Sequence, residues 1–333
     1  MPNLREGYAL PGAYFLVESS AAYGRHMRAV IIQEYGGPEV LRVAEVPIPE
    51  PGPGQVRVRV AAAAVNPVDV QTRTGALARA GLLPPRETIG IGWDLSGTID
   101  AVGPHVTAFA VGERVVALSD RLALPVKAQA EYAVLDTDAV GRLPADADPV
   151  AAATLPLNAL TAAQALDLAG LRPGQTLLVT GAAGAVGGFA VELAARSGLR
   201  VVAVAARRDE IFVREAGASH LVARGTEPAV GVREIVPHGV DAVIDAASLG
   251  VAALDAVRGG GTFVAVLGAA PVPLRGIRVA NVWIRADGPR LTALAAAGLR
   301  LRVADTMPLE RVADAHRRLE KGGVRGRLVL EID

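Results

Sequence analysis

The chain has 333 residues, about half of them apolar, which is material for two cored domains rather than one. Its 34 basic and 34 acidic residues cancel, so neither a basic stripe for nucleic acid nor an acidic tail stands out. There is no cysteine, which excludes disulfides, thiolate zinc sites and a catalytic thiol.

Residues 1–26 hold Tyr8, Tyr14 and Tyr23 without a signal-peptide pattern, and read as an N-terminal extension. The longest apolar runs, such as 61–65 and 201–206, are too short to span a bilayer. No membrane partner is expected, and the expected location is cytoplasmic. Strand-like sequence begins at Met27, and residues 27–150 read as β-rich. Pro47, Pro49, Pro51 and Pro53 stiffen a loop before Val56-Arg57-Val58-Arg59-Val60, which alternates strictly. Further strand-like runs at 97–102, 114–118 and 130–135, separated by turn residues, predict an antiparallel barrel or sandwich.

The texture changes near 150. Continuous apolar runs at 176–180, 200–205, 220–223, 241–245 and 261–267 alternate with helical patterns. Their lack of alternation predicts strands buried on both faces, hence a parallel sheet. Between the first two, Val186, Ala190, Leu193, Ala194 and Ser197 share one helical face. The expectation is an α/β chain with a doubly wound unit over 151–275. Past it, a helix over 309–321 ends at Gly322-Gly323, and a strand over 327–332 follows.

Gly181-Ala182-Ala183-Gly184-Ala185-Val186-Gly187-Gly188 lies between the first buried run and the first helix. A dinucleotide phosphate needs that order: a tight turn of small residues, then a helix N-terminus with free N–H groups. Gly184, Ala185, Val186 and Gly187 are the pyrophosphate candidates. The second strand ends neutral, at Ala205-Ala206, and Arg207-Arg208 follow it. An NAD site usually has a carboxylate there, whereas a 2′-phosphate wants positive charge, so NADP(H) is the expected cofactor. The alternative is that both arginines are solvated, with Asp209 and Glu210 as local partners. Ala246 and Gly268 follow strands and so border the crevice where ligands sit.

Several stretches occur together and in order. They are Glu34-Tyr35-Gly36-Gly37-Pro38-Glu39-Val40-Leu41, Asn66-Pro67-Val68-Asp69, Gly112-Glu113-Arg114-Val115, Ala130-Glu131-Tyr132, Leu155-Pro156 with Leu160-Thr161-Ala162, the glycine loop, and Val324-Arg325-Gly326-Arg327-Leu328-Val329-Leu330. With them, the chain from Met27 onward resembles the medium-chain dehydrogenase/reductase superfamily, in its zinc-free quinone oxidoreductase branch. The resemblance implies a GroES-like catalytic domain over 27–150, completed by 276–333, and a Rossmann domain over 151–275 between the two. It implies a small-molecule substrate bound in the cleft between domains, within a homodimer. The runs 261–267 and 280–284 are candidate sheet edges for that pairing. Zinc-dependent members carry a Cys where Asn66 stands and a His-Glu pair where Trp93-Asp94 stands, so no metal is expected. Thr161 resembles the family's threonine near the nicotinamide, or else caps a helix. Arg325 and Arg327 resemble a basic family motif, or else form a solvated face.

A site without a metal suits acceptors whose hydride adduct is already a stabilised anion, namely quinones and α,β-unsaturated carbonyls. Asn66 is the first candidate at the chemistry and, by resemblance, near the nicotinamide; an Asn-Pro turn is the alternative reading. Asp69 either faces substrate or caps a helix through Gln71 and Arg73. Tyr132 is either a proton donor or a core residue, and Trp93 either a pocket wall or core. Segments 119–130 and 269–291 depart from the family, which leaves two alternatives open: a pathway enzyme acting on one elaborate intermediate, and a non-catalytic NADPH-binding protein.

Overall fold

The computed structural model describes residues 25–266, 268 and 270–332. The extension expected over 1–26 lies almost wholly outside them. The first half is built from β1 (His26–Ile32), β2 (Arg42–Pro47), β3 (Gln55–Val65), α1 (Pro67–Arg73), α2 (Ala76–Arg79), β4 (Ile89–Gly90), β5 (Asp94–Val102), β6 (Arg114–Leu118), β7 (Tyr132–Asp136) and β8 (Val140–Arg142). β1 pairs antiparallel with β2 and β4, and β3 pairs antiparallel with β5 and β7. β3 explains itself from sequence. Val56, Val58 and Val60 are buried on one face, and from Ala62 to Val65 both faces are covered.

Two helices carry the chain across: α3 (Pro149–Ala152), whose first N–H groups are capped by the Asp148 carboxylate, and α4 (Pro156–Ala169). α4 is buried along most of its length, because it is packed between the two halves, and stops at Gly170, left-handed at φ 63°. Then come β9 (Thr176–Thr180), α5 (Ala185–Arg196), β10 (Arg200–Ala205), α6 (Glu210–Glu215), β11 (His220–Ala223), α7 (Pro228–Ile235), β12 (Val240–Asp245), α8 (Val251–Leu254), β13 (Val257–Ala265) and β14 (Arg278–Asn281). Their strands form a parallel six-stranded sheet in the order β11-β10-β9-β12-β13-β14. The order reverses between β9 and β12, and that switch point opens a crevice at the strands' carboxyl ends.

The chain then returns through α9 (Gly288–Ala296), β15 (Val303–Pro308), α10 (Val312–Glu320) and β16 (Arg327–Glu331). β16 lies between β15 and β3, so it joins the first half's seven-stranded sheet. Two expectations need correction. β14 pairs with β13, so the parallel sheet runs past the boundary expected at 276. β13 is bonded on both sides, so of the two runs expected as sheet edges only the β14 run lies at one, the other end of the sheet being β11. Among the described residues no helix is long and apolar enough to cross a membrane.

Candidate active site

β9 delivers the glycine loop to the switch point. Gly181 is left-handed at φ 60°, and a Cβ on it would lie 3.1 Å from the Ala246 carbonyl. On Gly187 a Cβ would meet the Gly181 carbonyl at 2.2 Å, so the first turn of α5 seats directly on the loop. Gly184 is the N-cap of α5, which leaves the Ala185, Val186 and Gly187 N–H groups at the helix's positive end. Beside them is a crevice of about 260 Å³ lined by Gly181, Gly184, Arg208, Arg224, Ala246 and Arg325, among others. Behind Ala246, the buried Asp245 accepts from the Thr180 hydroxyl at 2.5 Å and from the Gly250 N–H at 2.8 Å, which fixes the loop after β12.

Arg208 and Arg224 are exposed on this crevice and enter no ion pair among the described residues. Arg207 is also exposed but lies off the crevice lining. The expected local partners are engaged elsewhere: Asp209 is buried and accepts from Arg325, and Glu210 pairs with Arg214. Arg325 therefore lies on the crevice lining, while Arg327 is no part of a solvated face because it is buried. Arg302 stacks its guanidinium 3.7 Å from the Phe212 ring centroid and donates to the Ala183 carbonyl at 2.9 Å, tying the returning segment to the loop. Thr161 is buried inside α4, far from its N-cap at Leu155, so it caps nothing. Gly268 is left-handed at φ 79° with open space on its Cβ side.

Across the cleft, Asn66 and Pro67 start α1. The Asp69 carboxylate reaches back to the Asn66 N–H at 2.8 Å and accepts from the Gly92 N–H at 3.1 Å, so it does the capping work. The Asn66 amide donates to Asp94 at 2.8 Å and accepts from Asn158 at 3.4 Å. Asp94 also accepts from the Leu157 N–H in the first turn of α4 at 2.5 Å, and the Asn158 oxygen takes two bonds from Arg327, at 2.6 and 3.1 Å. Asn66, Asp94 and Asn158 have no exposed surface. Burial pushes Asp94 up to about 7 and Asp69 up to about 6, despite the N–H groups that face them. Burial likewise pulls Lys127 down to about 8 and Arg327 down to about 10, against the pull of the carboxylates.

Asn66 and Asp69 are thus brought together, and Asn66 binds β5 to α4 beneath the cleft. Tyr132 is not brought to them. It packs on the small cluster of Met27, Ala29 and Ala130, with Arg57 5.5 Å from its ring centroid. Trp93 is buried, with Lys127 Nζ 4.2 Å from its ring centroid. Sequence reasoning missed Asp94, Lys127, Asn158 and Arg224 as site residues. Asn158 left the plainest signal, a polar residue amid the apolar run of α4.

The chain matches the alcohol dehydrogenase GroES-like domain over residues 52–145 and the zinc-binding dehydrogenase domain over 216–330. It is 30% identical to the quinone oxidoreductase of Lama guanicoe, over 92% of this chain and 98% of that one. It is 30% identical to the NADPH-dependent alkenal/one oxidoreductase, chloroplastic, of Arabidopsis thaliana, over 94% of this chain and 82% of that one. A mycobacterial protein solved complexed with NADPH superposes with a TM-score of 0.77 at 28% identity, over 92% of this chain and 100% of that one. Other quinone oxidoreductases, the Homo sapiens protein included, match at 34% over 181 residues, so that the chain spans about half (53%) of their length. Fold and relatives together define a chain with a β-rich GroES-like half and a parallel-sheet, Rossmann-like half. The chain belongs to the medium-chain dehydrogenase/reductase superfamily, in its quinone oxidoreductase-like branch.

Proposed function

We propose that this protein is an NADPH-dependent reductase of quinones or α,β-unsaturated carbonyls that works without a metal ion. The observation that carries the reading is the crevice beside the glycine loop, where Arg208 and Arg224 enter no ion pair among the described residues while Arg325 occupies the carboxylate of Asp209. Two free guanidinium groups suit a nucleotide with a 2′-phosphate, which an unpaired carboxylate would repel. The close seating of Gly187 on Gly181 leaves room for a pyrophosphate at the start of α5. Thr161 and the Asn66 turn stand for the nicotinamide end, as the family resemblance implies. Bound NADPH supplies the hydride.

The side chains at the family's zinc positions do not fit that ion. Asn66 offers an amide, Trp93 an indole, and the carboxylates of Asp69 and Asp94 are taken up by N–H donors. The chain's own work is then to bind and orient, to exclude water, and to hold the acceptor's oxygen near positive charge. Relatives named for quinones and for alkenals or ones support that acceptor class. The homodimer is part of the same proposal, with the β14 edge of the parallel sheet as the pairing surface.

Stereospecifically deuterated NADPH tests the reading against a panel of quinones and enones. The expected result is cofactor oxidation, with deuterium retained on carbon in the enone product. Measurable NADPH binding with no oxidation by any acceptor would overturn it.

A further inference from the structure

Of the 34 basic residues only Lys127 and Lys321 are lysines. Arginine serves almost everywhere else, in the ion pairs as well as on the exposed surface. Lys321 is exposed at the end of α10. Lys127 is only 3% exposed, in the 119–130 segment that departs from the family pattern. A chain that prefers arginine so strongly has lysine at a position where burial works against a charge. Arginine would supply the same charge but could not release its proton near neutral pH, whereas a buried lysine can.

The surroundings fit that difference. Lys127 Nζ sits over Trp93 and makes no hydrogen bond or ion pair among the described residues. Two residues on, the Gln129 Oε1 atom is sealed without a donor, while its Nε2 reaches the Ala64 carbonyl two residues before Asn66. The charges that face the amine are Asp69 on α1 and Asp120 after β6. Asp94 and Arg327 act one step further out, through Asp69. Asp120 in turn accepts from the Ala286 N–H at 2.7 Å, and Trp93 packs in one cluster with Ile284 and Ala286. Lys127 therefore stands where the catalytic half meets the segment leaving β14.

We propose that Lys127 is the proton donor of this site, giving an Nζ proton to the anion that hydride addition leaves on the acceptor. The proposal rests on the reductase reading above. The N–H bond of the ammonium breaks as an O–H or C–H bond forms on the enolate or hydroquinone anion. The neutral amine left behind recovers a proton from water. Nothing else is consumed. Asp69 and Asp120 favour the ammonium before transfer, and burial favours the amine after it.

With two lysines in the chain, side-chain nitrogen NMR of lysine-labelled protein gives two resonances, assigned by comparing wild type with Lys127→Met and Lys321→Arg. The Lys127 resonance is expected to titrate near pH 8 and to shift when 4-nitrophenolate, a stable oxyanion, is added. In turnover, kcat/KM should fall above that pH in the wild type. Lys127→Arg should lose that limb and about a hundredfold in rate, while NADPH affinity, read by fluorescence, is unchanged. An amine that titrates at the ordinary 10.5 and ignores 4-nitrophenolate would overturn the proposal. So would a Lys127→Arg enzyme with the wild-type pH profile. If the wild type oxidises NADPH with no acceptor, the reductase reading fails, and the NMR arms still decide whether Lys127 is an anion-facing amine.

Discussion

Arg208 is exposed, unpaired and at the rim of the crevice, and its value lies in one charge. Charge-assisted bonds are worth about 1.5–3 kcal/mol, or roughly one to two decades of affinity. Arg208→Glu should therefore weaken NADPH by at least tenfold more than NADH, read by cofactor fluorescence titration; equal weakening would count against a 2′-phosphate there. His316 shows the opposite economy. It lies in α10 with both ring nitrogens unpartnered, and burial together with the Arg73 guanidinium pulls it from 6.5 down to about 3. The unfolded chain binds this proton first as pH falls, so folding stability is lost from about pH 6.5 downward. Asp94 and Asp69, raised in the fold, push the other way as pH rises from 3.8. His316→Leu should therefore flatten the acid limb relative to wild type in urea unfolding series between pH 6.5 and 4. An unchanged difference between the two proteins across that range would refute the assignment.

At the scale of elements, the glycine loop was legible from sequence because its requirement is local. Gly181, Gly184 and Gly187 are fixed by one turn and one helix start, and their spacing states both. Gly187→Ala puts a methyl group against the Gly181 carbonyl, backbone against backbone. It should cost about 1–3 kcal/mol of stability and most of the cofactor affinity, measured by thermal unfolding and by titration. Wild-type affinity in that variant would show that α5 does not need so close a seat. The short β14 was not legible as a member of the parallel sheet, since Arg278-Val279-Ala280-Asn281 alone carries no period. The polar network beneath the cleft was hidden for a different reason. Its bonds join Asp94 to Leu157 across 63 positions, and Asn158 to Arg327 across 169. Each residue reads alone as an ordinary polar residue in a strand or helix. Only the fold turns them into one buried cluster. Tyr132 misled in reverse: an aromatic hydroxyl in a strand suggests chemistry, and its neighbours turn out to be alanine and methionine.

At the scale of the molecule, the two halves share more than a linker. α4 packs between them, Arg302 holds the glycine loop, and Arg325 holds Asp209. A ligand in the crevice therefore braces residues from both halves. NADPH at a hundredfold excess over its Kd should add about 2.7 kcal/mol to unfolding, appearing as one cooperative transition at a higher midpoint. Two separate transitions, only one of them shifted, would show that the halves unfold apart.

The position of β16 between β15 and β3 also dictates an order of events during synthesis. The parallel sheet from β9 to β14 has all its strands once the ribosome has passed residue 281. β3 emerges long before that and finds β5 on one side, yet the neighbour on the other side of its Ala62–Val65 half lies in residues 327–331. The parallel-sheet half is thus able to close while the first half is still waiting with one edge of β3 unpaired. In the nascent chain, that edge is the segment most in need of a chaperone.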